Sequence, residues 1–159
     1  MRILFLSGWY PDPPNNGSKL RIINLLRALA QHHEVTLLSF HDEPQGDLSF
    51  SELQTLCQQI EIVPANQFIP QSWRARRGFF SKTPRSVLST RSVEMEKQIG
   101  DLLENGRFDL IIASQLGSAD YSDCFQGVPA LLEEVEVALL LERFNQAATL
   151  WDRARHGLT

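Results

Sequence analysis

Short, wholly apolar runs alternate along the chain with longer stretches in which apolar residues recur every three or four positions. Residues 3–6, I-L-F-L, form a run too short for a helix and too apolar for a strand with one wet face. Such a run suits a central parallel strand buried on both sides. The loop from Gly8 to Gly17 contains three prolines, which exclude regular structure until about Ser18. Leu20, Ile23, Leu26 and Ala30 then recur at helical spacing and predict a helix with one buried face. A second strand is expected over residues 34–40, with His41, Asp42 and Glu43 at its carboxyl end. Ser51 and Gln54 read as a capping box that opens a helix through Gln59, with Leu53, Leu56 and Ile60 on its apolar face. A short third strand follows at residues 61–64. From Ser92 the spacing of Val93, Ile99, Leu102 and Leu103 predicts a helix that stops near Asn105-Gly106. Residues 109–113, D-L-I-I-A, predict a buried strand, residues 121–125 a short helix and residues 130–133 another strand. Val137, Leu140, Leu141, Phe144, Ala148, Trp151 and Ala154 carry helical spacing to near the end of the chain. Strands alternating with helices predict an α/β fold, a Rossmann-like open and mostly parallel sheet with helices on both faces.

In such a sheet ligands gather at the carboxyl ends of the strands, where loops meet helix N-termini. The turn after the first strand is therefore the first candidate for chemistry. A helix starting near Ser18 leaves its first N–H groups unpaired and carries a partial positive charge, and a phosphate or carboxylate satisfies both. Asn16, Gly17, Ser18 and Lys19 are the candidate anion-binding residues, with Arg21 as a further cation. The plainer alternative is that Asn16 or Ser18 caps the helix and Gly17 turns the chain. A dinucleotide fingerprint is excluded because Gly8 and Gly17 stand too far apart, and Gly17-Ser18-Lys19 has its lysine misplaced for a nucleotide-triphosphatase loop. At the end of the strand over residues 109–113, Ser114 and Gln115 occupy a ligand-facing position, but neither titrates near neutral pH, so no general base is supported there. Glu133, Glu134 and Glu136 form the densest acidic cluster; they serve equally well as acids at the N-terminus of the following helix.

The chain has 159 residues, 43% of them apolar and 21% charged, which fits one ordinary globular domain over residues 1–159. A net charge of -4 argues against nucleic acid as the partner. Cys57 and Cys124 are isolated, and neither a metal site nor a disulfide framework is expected. No export signal or membrane span is visible, so the expected location is cytoplasmic. Charge does change the picture between Pro70 and Arg91, where Arg74, Arg76, Arg77, Lys82, Arg85 and Arg91 occur without an acidic residue and with Trp73, Phe79 and Phe80 interleaved. Arg74, Arg76, Arg77 and Phe79 are candidates for contact with an anionic membrane surface or phosphorylated acceptor. The alternative is a connector with solvated arginines and packed aromatics.

The apolar strand, the W-Y-P-containing loop, N-G-S, the R-I-I-N-L-L-R-A-L helix and H-H-E-V-T-L-L-S-F together resemble the amino-terminal domain of family 4 glycosyltransferases. The likeness is strongest over residues 2–40 and continues more weakly through F-D-L-I-I-A-S and L-L-E-E-V-E. It implies one half of a GT-B architecture: the acceptor-side domain of a retaining enzyme that moves a sugar from a nucleotide-diphosphate donor to an acceptor hydroxyl. The resemblance further implies that the carboxyl-terminal nucleotide-sugar domain, which carries a pair of glutamates, is the chain's missing partner and that this half alone is inactive. By the same likeness Gly17 and Ser18 would lie near the donor phosphates, while Gln115 and Glu134 would face the acceptor and the transferred sugar. No cofactor beyond the donor substrate and no essential metal are implied. A small-molecule or lipid-linked acceptor, reached at the inner membrane face, is implied as partner. A stand-alone module of the same fold that binds a phosphorylated ligand without catalysis is the alternative.

Overall fold

The computed structural model describes residues 1–41, 52–66 and 90–133. Two compact units divide the chain, one of Met1–Ala65 with Ser92–Glu133 and one of Asn66–Arg91 with Glu134–Thr159. Nearly all described residues belong to the first. In the second, the Asn66 carboxamide donates to the Arg91 carbonyl at 3.3 Å.

Five parallel strands form one sheet. They are β1 (Arg2–Ser7), β2 (Glu34–His41), β3 (Gln59–Pro64), β4 (Leu110–Ser114) and β5 (Ala130–Glu133), in spatial order β3-β2-β1-β4-β5. Among the described residues the helices are α1 (Gly17–Ala30), α2 (Leu53–Leu56), α3 (Val93–Asn105) and α4 (Leu116–Ala119), with a 3-10 turn at Ser122–Cys124. The α/β, Rossmann-like reading of the sequence therefore describes the fold.

Every residue of β1 from Ile3 to Ser7 is buried, and its side chains alternate between two cores. Ile3 and Phe5 join Ile22, Ile23 and Leu26 of α1 and Leu53 of α2 on one face. Leu4 and Leu6 join Met95, Ile99 and Leu102 of α3, with Tyr121 and Phe125, on the other. The apolar run had no polar alternation because neither side of this strand meets water. Asp109 Oδ2 accepts from the Arg2 amide at 2.7 Å, closing the amino end of β1 against the start of β4.

The helix faces differ in detail from their expected ones. In α1 the buried residues are Ile22, Ile23 and Leu26, whereas Leu20 is 47% exposed. Helical spacing alone left the stripe free to rotate by a residue, and contact with the sheet selects Ile22. In α3 the buried set is Met95, Ile99 and Leu102; Val93 lies at the first helical position and is exposed. Ser92 caps α3 through its hydroxyl, which accepts from the Met95 amide, and its own amide donates to Tyr121 Oη at 2.8 Å.

The helix expected through Gln59 is the four-residue α2. Its cap residue Glu52 makes no side-chain capping bond and Cys57 is already extended, so β3 begins at Gln59 rather than Glu61. Pairing with β2, in which Thr36 faces Gln59 and Leu37 faces Ile60, outcompetes continuation of so short a helix. Glu52 binds Arg27 of α1 bidentately, both contacts at 2.7 Å. That hydrogen-bonded pair holds the Glu52 carboxyl below its ordinary range and the Arg27 guanidinium above its own. The strand at residues 130–133 occurs with those bounds, led in by Gly127 in left-handed conformation at φ 81°. The helix α4 was not anticipated. The expected helix from Val137 and the capping residue Ser51 lie outside the described residues.

Truncation of the shared core provides a test of this assignment of faces. Leu26→Ala is expected to lower unfolding free energy by roughly 2–5 kcal/mol, because the site is closed on all sides. Leu20→Ala is expected to change it by about 0.5 kcal/mol or less. Urea unfolding followed by circular dichroism measures both; equal losses would mean that the stripe is centred on Leu20.

Candidate functional site

In strand order β3-β2-β1-β4-β5 the chain winds outward in both directions from the boundary between β1 and β4. At such a switch point the loops leave to opposite faces of the sheet and open a crevice at the carboxyl ends of the strands. Ser7 and Ser114, paired across this boundary, are both completely buried. Gly8 and Gln115 follow them.

Gln115 has φ 76° and ψ 153°, a region almost reserved for glycine. Its side chain lies across Gly8 so closely that a methyl group on Gly8 would overlap Gln115 Oε1. Glycine is favoured there by the neighbouring carboxamide, the flexible end of which an added methyl would have to displace. Gln115 Nε2 is buried and has no hydrogen-bond acceptor among the described residues, so a donor stands unsatisfied at the end of β4. The Gln115 amide is bonded to the Glu133 carbonyl at 3.0 Å, which fixes the backbone at the end of β4.

Glu133 ties three elements together. Its Oε2 accepts from the Ser114 hydroxyl at 3.1 Å, and its Oε1 lies 2.7 Å from Arg21 Nη1 of α1. Among the described residues that nitrogen donates no well-aligned hydrogen bond, so the contact is an ion pair held by proximity. With side chains 26% and 20% exposed, water screens it only partly, and it contributes about 1 kcal/mol. Sequence reasoning grouped Glu133 with its acidic neighbours and assigned it no role of its own. The coupling to Arg21 could not be seen in a chain where the two stand far apart.

The proline loop brings α1 to the same end of the sheet. Ser7 Oγ donates to the Trp9 carbonyl at 2.6 Å, and the cis Asp12-Pro13 peptide lies further along the loop. Asn16 caps α1: its Oδ1 accepts from the Lys19 amide at 2.9 Å, and its carbonyl accepts from the Leu20 amide at 3.0 Å. The capping role foreseen for Asn16 is thus present, and the Lys19 amide is occupied. Among the described residues no acceptor meets the amides of Gly17 and Ser18. The first turn of α1 holds no acidic residue, and Gly17 has open space where a Cβ would stand. Gly17, Leu20, Arg21, Asn24 and Leu25 border a shallow depression of about 410 Å3 along α1.

Of the other candidates, Glu134, Arg74, Arg76, Arg77 and Phe79 lie outside the described residues, as do Asp42, Glu43 and Glu136. His41 closes β2 with its ring 5.3 Å from that of Tyr10. Among the described residues no group of His, Cys, Asp and Glu is arranged to hold a metal, neither Cys57 nor Cys124 is in a disulfide, and no helix is long and apolar enough to cross a membrane.

No protein-family model matches the chain. No curated protein matches it either. Among solved structures, the chain is similar to the C-terminal domain of a hydrogenase from Pyrococcus furiosus, with a TM-score of 0.53 and 17% identity over 83% of this chain and 89% of that one. At this identity the likeness concerns the fold alone.

The packing of Gln115 against Gly8 is open to a double-mutant cycle. Gln115→Gly is expected to raise stability by about 1 kcal/mol by releasing backbone strain. Gly8→Ala, which must push aside the flexible end of a side chain, is expected to cost about 1 kcal/mol in the parent and close to nothing beside Gln115→Gly. Strictly additive effects in thermal denaturation would show that the carboxamide does not occupy the crevice.

Proposed function

We propose that this chain is the amino-terminal, acceptor-side domain of a retaining family 4 glycosyltransferase of GT-B type. It works with a carboxyl-terminal domain that holds the nucleotide-diphosphate sugar. The observation that carries this reading is the junction of β1 and α1, where the amides of Gly17 and Ser18 have no acceptor among the described residues. A helix N-terminus of this kind at the carboxyl end of a central parallel strand suits the diphosphate that departs when the sugar moves. The proline- and glycine-rich loop and the motifs that resemble the family lie over the same residues.

In this mechanism the chain's contribution is electrostatic and positional. As the bond from the anomeric carbon to the diphosphate breaks, negative charge gathers on the leaving oxygens. Fixed N–H dipoles at Gly17 and Ser18 stabilise that charge without reorganising, with Lys19 adding a mobile cation. Gln115 at the switch point donates toward the acceptor or the transferred sugar, with Glu134 as a further, acidic candidate. The acceptor's lipid or soluble nature, and with it any contact of Arg74, Arg76, Arg77 and Phe79 with the inner membrane face, belongs to the same proposal.

A binding module that holds a phosphorylated ligand without chemistry is the second reading. The make-up of the crevice favours it, because Ser114 and Gln115 do not titrate near neutral pH and Glu133 is engaged by Arg21 and Ser114.

Gly17 provides the discriminating substitution, since nothing lies within 4 Å of an added Cβ. In the chain joined to its nucleotide-sugar domain, Gly17→Val is expected to lower turnover of a nucleotide-diphosphate sugar by about 100-fold or more, because the added side chain holds the diphosphate away from the Gly17 and Ser18 amides, an effect on the scale of losing one oxyanion donor. Its melting temperature should stay within a few degrees of the parent's, in the range of a surface substitution. Transfer is read as release of nucleoside diphosphate across a panel of donor sugars. Undiminished turnover would remove the loop from the site. Absence of transfer with every donor, combined with phosphate-dependent binding that Gly17→Val abolishes, would favour the module.

A further inference from the structure

A second concavity lies on the α1 and α2 side of the sheet, at the β3 edge and away from the switch point. It has a volume of about 310 Å3, at the lower end of the range for small-molecule sites. Its apolar wall is made by Ile60 and Ile62, successive residues on one face of β3, with Cys57 and the ring of Tyr10. Gln54, Gln58 and Gln59 complete the lining.

Every one of these lining residues is uncharged in the physiological range. Burial pushes the Cys57 thiol up to about 11, so it remains a neutral S–H group. Among the described residues the lining holds no cation for a phosphate and no carboxylate for an amine. The nearby acid, Glu61, already holds two carboxamides: its Oε1 accepts from Gln59 Nε2 at 3.0 Å and its Oε2 from Gln98 Nε2 of α3 at 2.9 Å. Tyr10 is nearly buried and Gln54 is already bonded, which fixes much of the wall in advance. The exposed Gln58 side chain has no partner among the described residues, while its backbone amide is fixed to the Val35 carbonyl at 2.8 Å.

We propose that this hollow between α2 and β3 binds a neutral carbohydrate ring, with the Ile60 and Ile62 wall against its C–H face and Gln58 bonded to its hydroxyls. The complementarity is chemical. A sugar hydroxyl donates and accepts at once, as a carboxamide does, and a pyranose carries an apolar face beside that polar rim. A sugar phosphate would bury charge without a counterion. The proposal does not rest on the transferase reading, because it requires neither a donor nucleotide nor a second domain.

Cys57 supplies the readout, being 7% exposed in the wall of the hollow. In a Cys124→Ser background one thiol remains, and its alkylation at pH 9 is followed by mass spectrometry. Glucose and N-acetylglucosamine are expected to slow that reaction severalfold and saturably, with glucose 6-phosphate and adenosine much less effective. Gln58→Leu, at an exposed position, should leave the melting temperature and the unliganded alkylation rate close to the parent's and abolish the protection. Ile60→Phe, which fills the hollow, should abolish it too. The assignment is overturned if neither sugar protects, if glucose 6-phosphate or adenosine protects better, or if Gln58→Leu is protected as well as the parent.

Discussion

The architecture depends on one strand having no exposed side. β1 pairs with β2 on one edge and β4 on the other, and its side chains feed a separate core on each face. Because both faces are apolar, a helix layer must cover each, and parallel pairing demands that the chain cross over between strands. The reversal between β1 and β4 follows from where those crossovers lie. The crevice is thus a product of burying Ile3 to Leu6, before any residue at its rim is considered.

Polar groups at the rim are handled in two ways. Ser7, Ser114 and the Asn16 cap bond to nearby backbone or to Glu133, giving the strand ends and the start of α1 a fixed shape. Gln115 shows the opposite pattern, with a backbone in glycine's territory and an unsatisfied Nε2. Strain and unmet hydrogen bonding are each expected to cost on the order of 1–3 kcal/mol. Their coincidence at a topological switch point distinguishes this residue from the capped and paired groups around it.

Much of the fold was legible because it rests on local signals. Four-residue apolar runs marked β1 and β4, and Ser92 with Asn105-Gly106 bounded α3. Signals failed where a competing partner decided the outcome. Leu20 fits the helical period as well as Ile22 does, and only the sheet distinguishes them. The Ser51 and Gln54 pattern suggested a longer helix than the four residues that β3 leaves to α2. At the site, Ser114, Gln115 and the Asn16 to Lys19 turn were visible from their position after apolar runs. The Gly8 contact and the Arg21–Glu133 ion pair were not, since both join residues that are remote along the chain.

The carboxamide lying across Gly8 changes what occupancy of the crevice means. The Gln115 carboxamide fills the space over Gly8, so any molecule seated there between the ends of β1 and β4 would have to displace it. Affinity at such a place reports the difference between two tenants of the same space, and a guest that offers Nε2 the acceptor it lacks starts with an advantage over the side chain's own resting pose.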